Sequence, residues 1–186
     1  MENKSAVQNQ LFQSIIAEAK RVHEDALFCT AGHTHEARHW DTLQLWLGIP
    51  ATVIAAVTGI TSLASNSASV GILGLNINII TGIFSLLVAT ISGLATFLDP
   101  KGQAAKHYQA VNSYAALLNE TRFFYEIDCI QNRDVEKLEA NLRKLSERLN
   151  DLNNQTPLIS TRAAALAEKS ILSGNYEYRV DKQSVR

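Results

Sequence analysis

Hydrophobic residues change their rhythm twice along this chain. Up to residue 41 they recur among charged residues at helical intervals: Leu11, Ile15, Val22, Ala26 and Cys29 follow at steps of 4, 7, 4 and 3 and fall on one face. This predicts a helix over 6–41, which Gly32 weakens near its end. The mixture then stops. No Asp, Glu, Lys or Arg occurs in the 57 residues between Asp41 and Asp99, where a chain of 19% charged residues would place about eleven. Two apolar runs fill that stretch, Leu43–Ala64 and Ile72–Leu98. The first would rise about 33 Å as a helix, enough for a hydrocarbon core. The residues SNSASVG at 65–71 read as a tight turn between them.

Lipid cannot satisfy free peptide groups, so both runs are expected to be helical. The resulting expectation is an all-α membrane protein, in which a two-span hairpin joins long cytoplasmic helices packed as a bundle or coiled coil. A buried hairpin inside a soluble bundle is the competing arrangement, but soluble core helices usually show a charged stripe. Neither run has one. Arg38, Lys101 and Lys106 flank the ends away from the turn, and the turn has no basic residue. The positive-inside rule therefore places both termini in the cytoplasm. Trp40, Trp46 and Phe97 stand at span ends, as interfacial aromatics do.

The second span carries a polar stripe. At 100° per residue Asn78, Thr81, Ser85, Ser92 and Thr96 fall within roughly 60° of one another. Ile79, Ile83, Leu87, Leu94 and Phe97 lie opposite, and Gly82, Ala89 and Gly93 border the stripe. In the first span Gln44, Gly48, Thr52, Ala55, Gly59 and Ser62 gather on one side. Small and hydroxylated residues let membrane helices approach and hydrogen-bond. The same stripe in several assembled copies would line a wet path. The absence of ionisable groups argues against a proton relay, and without a charged ring such a path would select ions weakly. Pro50, Gly59, Asp99 and Pro100 are the candidate flex points, because proline removes a backbone donor and Asp-Pro reads as a break at the membrane surface.

Helices are expected again over 100–155. Tyr108, Val111, Leu117, Leu118, Phe124 and Ile127 mark 101–130. Val135, Leu138, Leu142, Leu145, Leu149 and Leu152 then recur at 3-4-3-4-3, a coiled-coil seam over 135–152. The positions beside it, Glu139, Asn141, Ser146 and Arg148, specify a partner poorly, so packing on the N-terminal helix and pairing between subunits are both open. Thr156-Pro157 ends the run. The segment 157–186 holds a short helix, about 159–173, closing at Gly174.

Charge and chemistry narrow the picture further. The 186 residues include 17 Lys+Arg and 18 Asp+Glu, a net charge of -1, which gives no basic surface for nucleic acid. Cys29 and Cys129 are too few for a disulfide framework or a thiolate zinc site. The opening MENKSAVQNQ lacks the apolar core of a cleavable signal. His35-Glu36-Ala37-Arg38-His39 matches H-E-x-x-H, whose two histidines share a zinc ion in metalloproteases while the glutamate acts as base. Here Arg38 intrudes between the ligands. A third ligand at a familiar spacing is missing, with His107 the best candidate by depth. A polar juxtamembrane helix is the simpler account. The expectation is no enzyme, no catalytic residues, no metal and no cofactor.

The order of these parts resembles a known family. Leu47-Gly48-Ile49-Pro50 leads into the hairpin and Phe97-Leu98-Asp99-Pro100 leads out. His107, Ala110, Tyr114 and Leu117 follow as H-x2-A-x3-Y-x2-L. Ala167-Glu168-Lys169-Ser170-Ile171 and Gly174-Asn175-Tyr176-Glu177-Tyr178 close the chain. This combination resembles the SLATT domain, the SMODS and SLOG-associating two-transmembrane effector domain of bacteria, over nearly the whole length. The resemblance implies a homo-oligomeric inner-membrane effector of antiviral or conflict defence that forms pores or disrupts the bilayer and kills or arrests the cell. It implies a trigger on another polypeptide: a separate sensor, a nucleotide-signal synthase or a reverse-transcriptase system. No catalytic residues carry over. The alternative is a membrane-anchored scaffold without catalytic activity, and the remote one is the zinc protease.

Overall fold

The computed structural model describes residues 2–64 and 77–177, with side chains from 7–60 and 79–177. The turn expected at 65–71, the start of the second run at 72–76, and Tyr178 lie outside the described residues. The protein is all-helical, 91% helix, with no strand among the described residues. Its elements are α1 (Glu2–Ala64), α2 (Ile77–Leu98), α3 (Pro100–Phe123), a π-helical turn (Phe124–Asp128), α4 (Cys129–Gln131), α5 (Val135–Gln155) and α6 (Thr161–Leu172). Contacts divide the chain into two compact units. One comprises Met1–Ala37 with Ala105–Arg186, the other Arg38–Ala104.

The first unit has an ordinary protein core. α1 contributes Ile15, Ala19, Val22 and Ala26, all buried. The inward stripe of α3 and its π-helical turn is His107, Ala110, Tyr114, Leu117, Thr121 and Phe124. Its steps of 3 and 4 are those of a helix face, but half of its members are polar. The expected apolar residues of this segment divide: Leu117 and Phe124 are buried, whereas Tyr108 is 41% exposed. The π-helical turn inserts one extra residue per turn. It lets Phe124 and Cys129, five apart, enter the same cluster.

All six seam residues of α5 pack within the chain. Leu138 and Leu142 join Ile15, Ala19, Phe124 and Cys129, with Val135 against them. Leu149 joins Val22, Ala26 and Tyr114, with Leu152 against them, and Leu145 touches both clusters. Asp134 caps α5 by accepting from the Lys137 N–H. Ser160 caps α6 by accepting from the Ala163 N–H at 3.2 Å. Gly174 ends α6 at φ 72°, where a side chain would be strained.

One sequence expectation needs correction. Leu11, expected on the inward face of α1, is 42% exposed and sits in an open groove with Leu142 and Arg143; Ala19 holds the core position instead. α1 runs through Gly32, and a Cβ there would lie 2.7 Å from the Ile159 methyl, so the glycine makes room for the segment that leads into α6.

In the second unit α1 continues as helix through Pro50 to Ala64, and α2 spans Ile77–Leu98. Among the described residues two helices are long and apolar enough to cross a membrane, and the most apolar 18-residue stretch of each is only 6% and 0% buried. Half-buried residues recur on α1 at Leu43, Leu47, Ala51, Ile54 and Thr58, and on α2 at Thr81, Val88, Ile91 and Ala95. The remaining surfaces turn large apolar groups outward: Trp46, Ile60, Leu86 and Phe97 are 74%, 68%, 69% and 86% exposed.

The Asp-Pro break occurs where the sequence places it. Asp99 leaves the helix at φ 42°, and its Oδ1 accepts the Gly102 N–H at 3.1 Å. A Cβ at Gly102 would overlap that carboxylate. Asp99→Leu is expected to cost about 1–2 kcal/mol, from the left-handed backbone and the lost cap together. Asp99→Gly, which tolerates that backbone, is expected to stay within a few tenths of a kcal/mol. Thermal unfolding of the two variants in detergent measures the difference.

Candidate functional site

Two places carry candidate chemistry, one in each unit. In the second unit the polar stripe of α2 divides by exposure. Thr81 is half-buried; Ser85, Ser92 and Thr96 are exposed. Thr81 and Ser85 line a shallow groove with Ala55, Thr58 and Gly59 of α1. Asn78 lies in the first turn of α2, outside the residues whose side chains are described. Several hydroxyls satisfy themselves on their own helix. Thr96 donates to the Ser92 carbonyl at 2.9 Å, Thr90 to Leu86 at 2.9 Å and Thr52 to Gly48 at 2.8 Å. Such back-bonding lets a hydroxyl sit in an apolar medium. A Cβ at Gly48, Gly59, Gly82 or Gly93 would meet nothing within 4 Å. Among the described residues these glycines therefore serve no close helix approach.

In the first unit a polar layer crosses the core. α1 brings His33 and Glu36, one helical turn apart; α3 brings His107 and Tyr114. All four are buried, His33 at 3% and His107 at 4% exposure. The two imidazoles meet at Nδ1···Nδ1 2.9 Å. One ring donates its Nδ1–H and the other, with its proton on Nε2, accepts. Tyr114 stacks on His33 with centroids 5.5 Å apart. Its hydroxyl donates to Asn153 Oδ1 at 2.8 Å and lies 3.2 Å from the Thr156 hydroxyl, both brought by α5 and its end. Glu36 Oε1 accepts the Ser160 N–H at 2.7 Å, at the start of α6. His35 Nε2 lies 3.1 Å from Ser170 Oγ. Among the described residues no buried side-chain nitrogen or oxygen lacks a partner.

The electrostatics follow from this burial. Desolvation, and then the neighbouring His107, push His33 down to about 4, against the pull of Glu36. Desolvation also lowers His107, with Glu36 opposing and Lys106 assisting. Burial raises Tyr114. Burial thus favours the neutral form of both imidazoles in this layer.

H-E-x-x-H is taken apart by these contacts. Glu36 is engaged at Ser160 and His35 at Ser170, and the ring of His39 packs on Trp40 at 6.2 Å. His107 bonds to His33, a residue outside the motif. Among the described residues no group of three or more His, Cys, Asp or Glu is placed to hold a metal. Of the family-motif residues, His107, Ala110, Tyr114 and Leu117 form the buried face of α3, Gly174 caps α6, and Tyr176 is half-buried. Sequence reasoning missed the pairing of His33 with His107. The available signal was the spacing of His33 and Glu36, which puts both on one helix face ending against a second polar stripe. Comparison with protein families, with curated proteins and with solved structures finds no match to this chain.

Proposed function

We propose that this chain is a two-span membrane protein whose copies assemble into a pore or a bilayer-disrupting complex, with the helical core of the first unit outside the lipid as its control element. The observation that carries this reading is the outward surface of the second unit. It combines large apolar side chains with a line of hydroxyls, Ser85, Ser92 and Thr96, and with glycines that face open space. Lipid accounts for the apolar part, and neighbouring copies or a wet lumen account for the small and polar part.

The resemblance to SLATT domains extends the proposal. The chain then acts in the bacterial inner membrane with both termini cytoplasmic, as a triggered effector of antiviral defence. Its trigger is a separate sensor, a nucleotide-signal synthase or a reverse-transcriptase system, and it performs no catalysis.

Induced expression with that trigger is expected to admit an impermeant dye. The double replacement Ser85→Leu/Ser92→Leu is expected to abolish dye entry at equal protein level. Leucine makes the span more apolar, so insertion does not suffer. Unchanged dye entry in that variant rules out a lumen on this face. A membrane-anchored scaffold instead gives no leakage from liposomes under any activating condition.

A further inference from the structure

We infer that the buried His33–His107 pair is a proton-sensitive clasp: taking up two protons, it opens the contact of α1 with α3. The proposal goes beyond the pore reading and concerns contacts inside the first unit alone.

The argument begins with proton count. Two Nδ1 atoms 2.9 Å apart hold one hydrogen between them. A first added proton can be accommodated, because a charged ring still donates to the lone pair of its neutral partner. A second leaves an N–H on both nitrogens. The hydrogen bond is then lost, and two like charges stand in a core where both rings are almost fully covered.

The surroundings weigh on that charge. From α1, Glu36 favours charge on both rings. From α3, Lys106 opposes charge on His107, and Tyr114 covers His33 with a neutral face. From α5 and its end, Asn153 and Thr156 hold the Tyr114 hydroxyl and bring no charge. On α6, Arg162, Glu168 and Lys169 are turned to solvent. Glu36 accepts the Ser160 N–H at 2.7 Å through Oε1. Its pull toward charge on the two rings is outweighed by their desolvation, which holds both below their ordinary value.

The direction with pH follows. Both imidazoles sit below their ordinary value of 6.5 while α1 and α3 are in contact, and His33 lies at about 4. The closed contact is fully favoured above pH 6.5. It loses ground as pH falls from there toward about 4, by up to about tenfold per pH unit for each proton taken up.

The test is hydrogen exchange of the full chain in nanodiscs at about pH 7.5 and 5.5, read at residues 103–114 of α3 after correction for the intrinsic rate. Wild-type protection of this stretch is expected to drop at the lower pH. His33→Gln/His107→Asn, which keeps an uncharged hydrogen-bonding pair, is expected to hold its protection. Equal protection of the wild type at both values overturns the proposal, as does the same drop in the double variant. Should the histidine double variant fail to fold, NMR titration of the wild-type rings decides: a pair titrating at or above 6.5 overturns it and one titrating below supports it. Failure here leaves the pore reading intact, and a protein that keeps the pH-dependent step but admits no dye fails only the pore reading.

Discussion

Leu86→Arg is expected to remove the protein from the membrane fraction. Leu86 is the tenth of the 22 residues of α2 and is 69% exposed. In water, an exposed leucine can become arginine within about 0.5 kcal/mol, and solubility improves. At the centre of a membrane span the same change costs about 2.5–3.5 kcal/mol on insertion scales, which opposes insertion of α2. The two environments thus predict opposite outcomes for one substitution. Membrane and soluble fractions, separated after alkaline extraction, give the reading. A wild-type chain found in the membrane and an arginine variant lost from it fit lipid as the surroundings of α2. A wild-type chain that remains soluble and monodisperse without detergent would remove the basis of the pore proposal. Ser85→Leu serves as the control, because it adds apolar surface one residue away without charge.

The sequence made the second unit legible because lipid-compatible helices declare themselves by composition. A run of 57 residues without charge needs no tertiary information to be recognised, and the Asp99-Pro100 break is written in two residues. The leucine seam of α5 was legible for the same reason: its period is carried by one residue type. Its partner was not. Nothing in Leu138 or Leu149 distinguishes a neighbouring helix of the same chain from one of another copy, and only the contacts with Ile15 and Val22 assign it.

The polar layer was hidden for a different reason. A search for apolar periodicity passes over His107, Tyr114 and Thr121, yet these alternate with Ala110, Leu117 and Phe124 on one buried face. Each is tolerated because it has a fixed partner. His107 has His33, Tyr114 has Asn153, and Thr121 donates to the Leu117 carbonyl at 2.8 Å while lying 3.2 Å from His23 Nδ1. Pairing of this kind depends on which helices meet, which local pattern does not encode. The same limit explains H-E-x-x-H. The five residues are spaced for zinc, but their partners, Ser160 and Ser170, lie more than a hundred residues away and turn the motif into a fastening for α6.

The second large effect concerns the seam. Leu138 is 1% exposed among Ile15, Ala19, Phe124, Cys129 and Leu142, so Leu138→Ala leaves a void that these side chains cannot close without moving. The expected cost is about 2–5 kcal/mol, against a domain stability of about 5–15 kcal/mol. Leu152→Ala, at a half-buried position near the end of α5, is expected to cost less. Leu11→Ala, at a position 42% exposed, is expected to cost under about 1 kcal/mol. Thermal unfolding of the three variants at several protein concentrations checks both the order and the origin. A seam closed within one chain gives midpoints for wild type and Leu138→Ala that do not move with concentration. A seam shared between copies gives midpoints that rise with concentration, because association adds to stability by mass action. Costs in the order Leu138, Leu152, Leu11, with concentration-independent midpoints, assign the seam to the core of each subunit. The contacts between copies in the proposed assembly would then have to come from other surfaces, among them the open glycines and hydroxyls of α1 and α2.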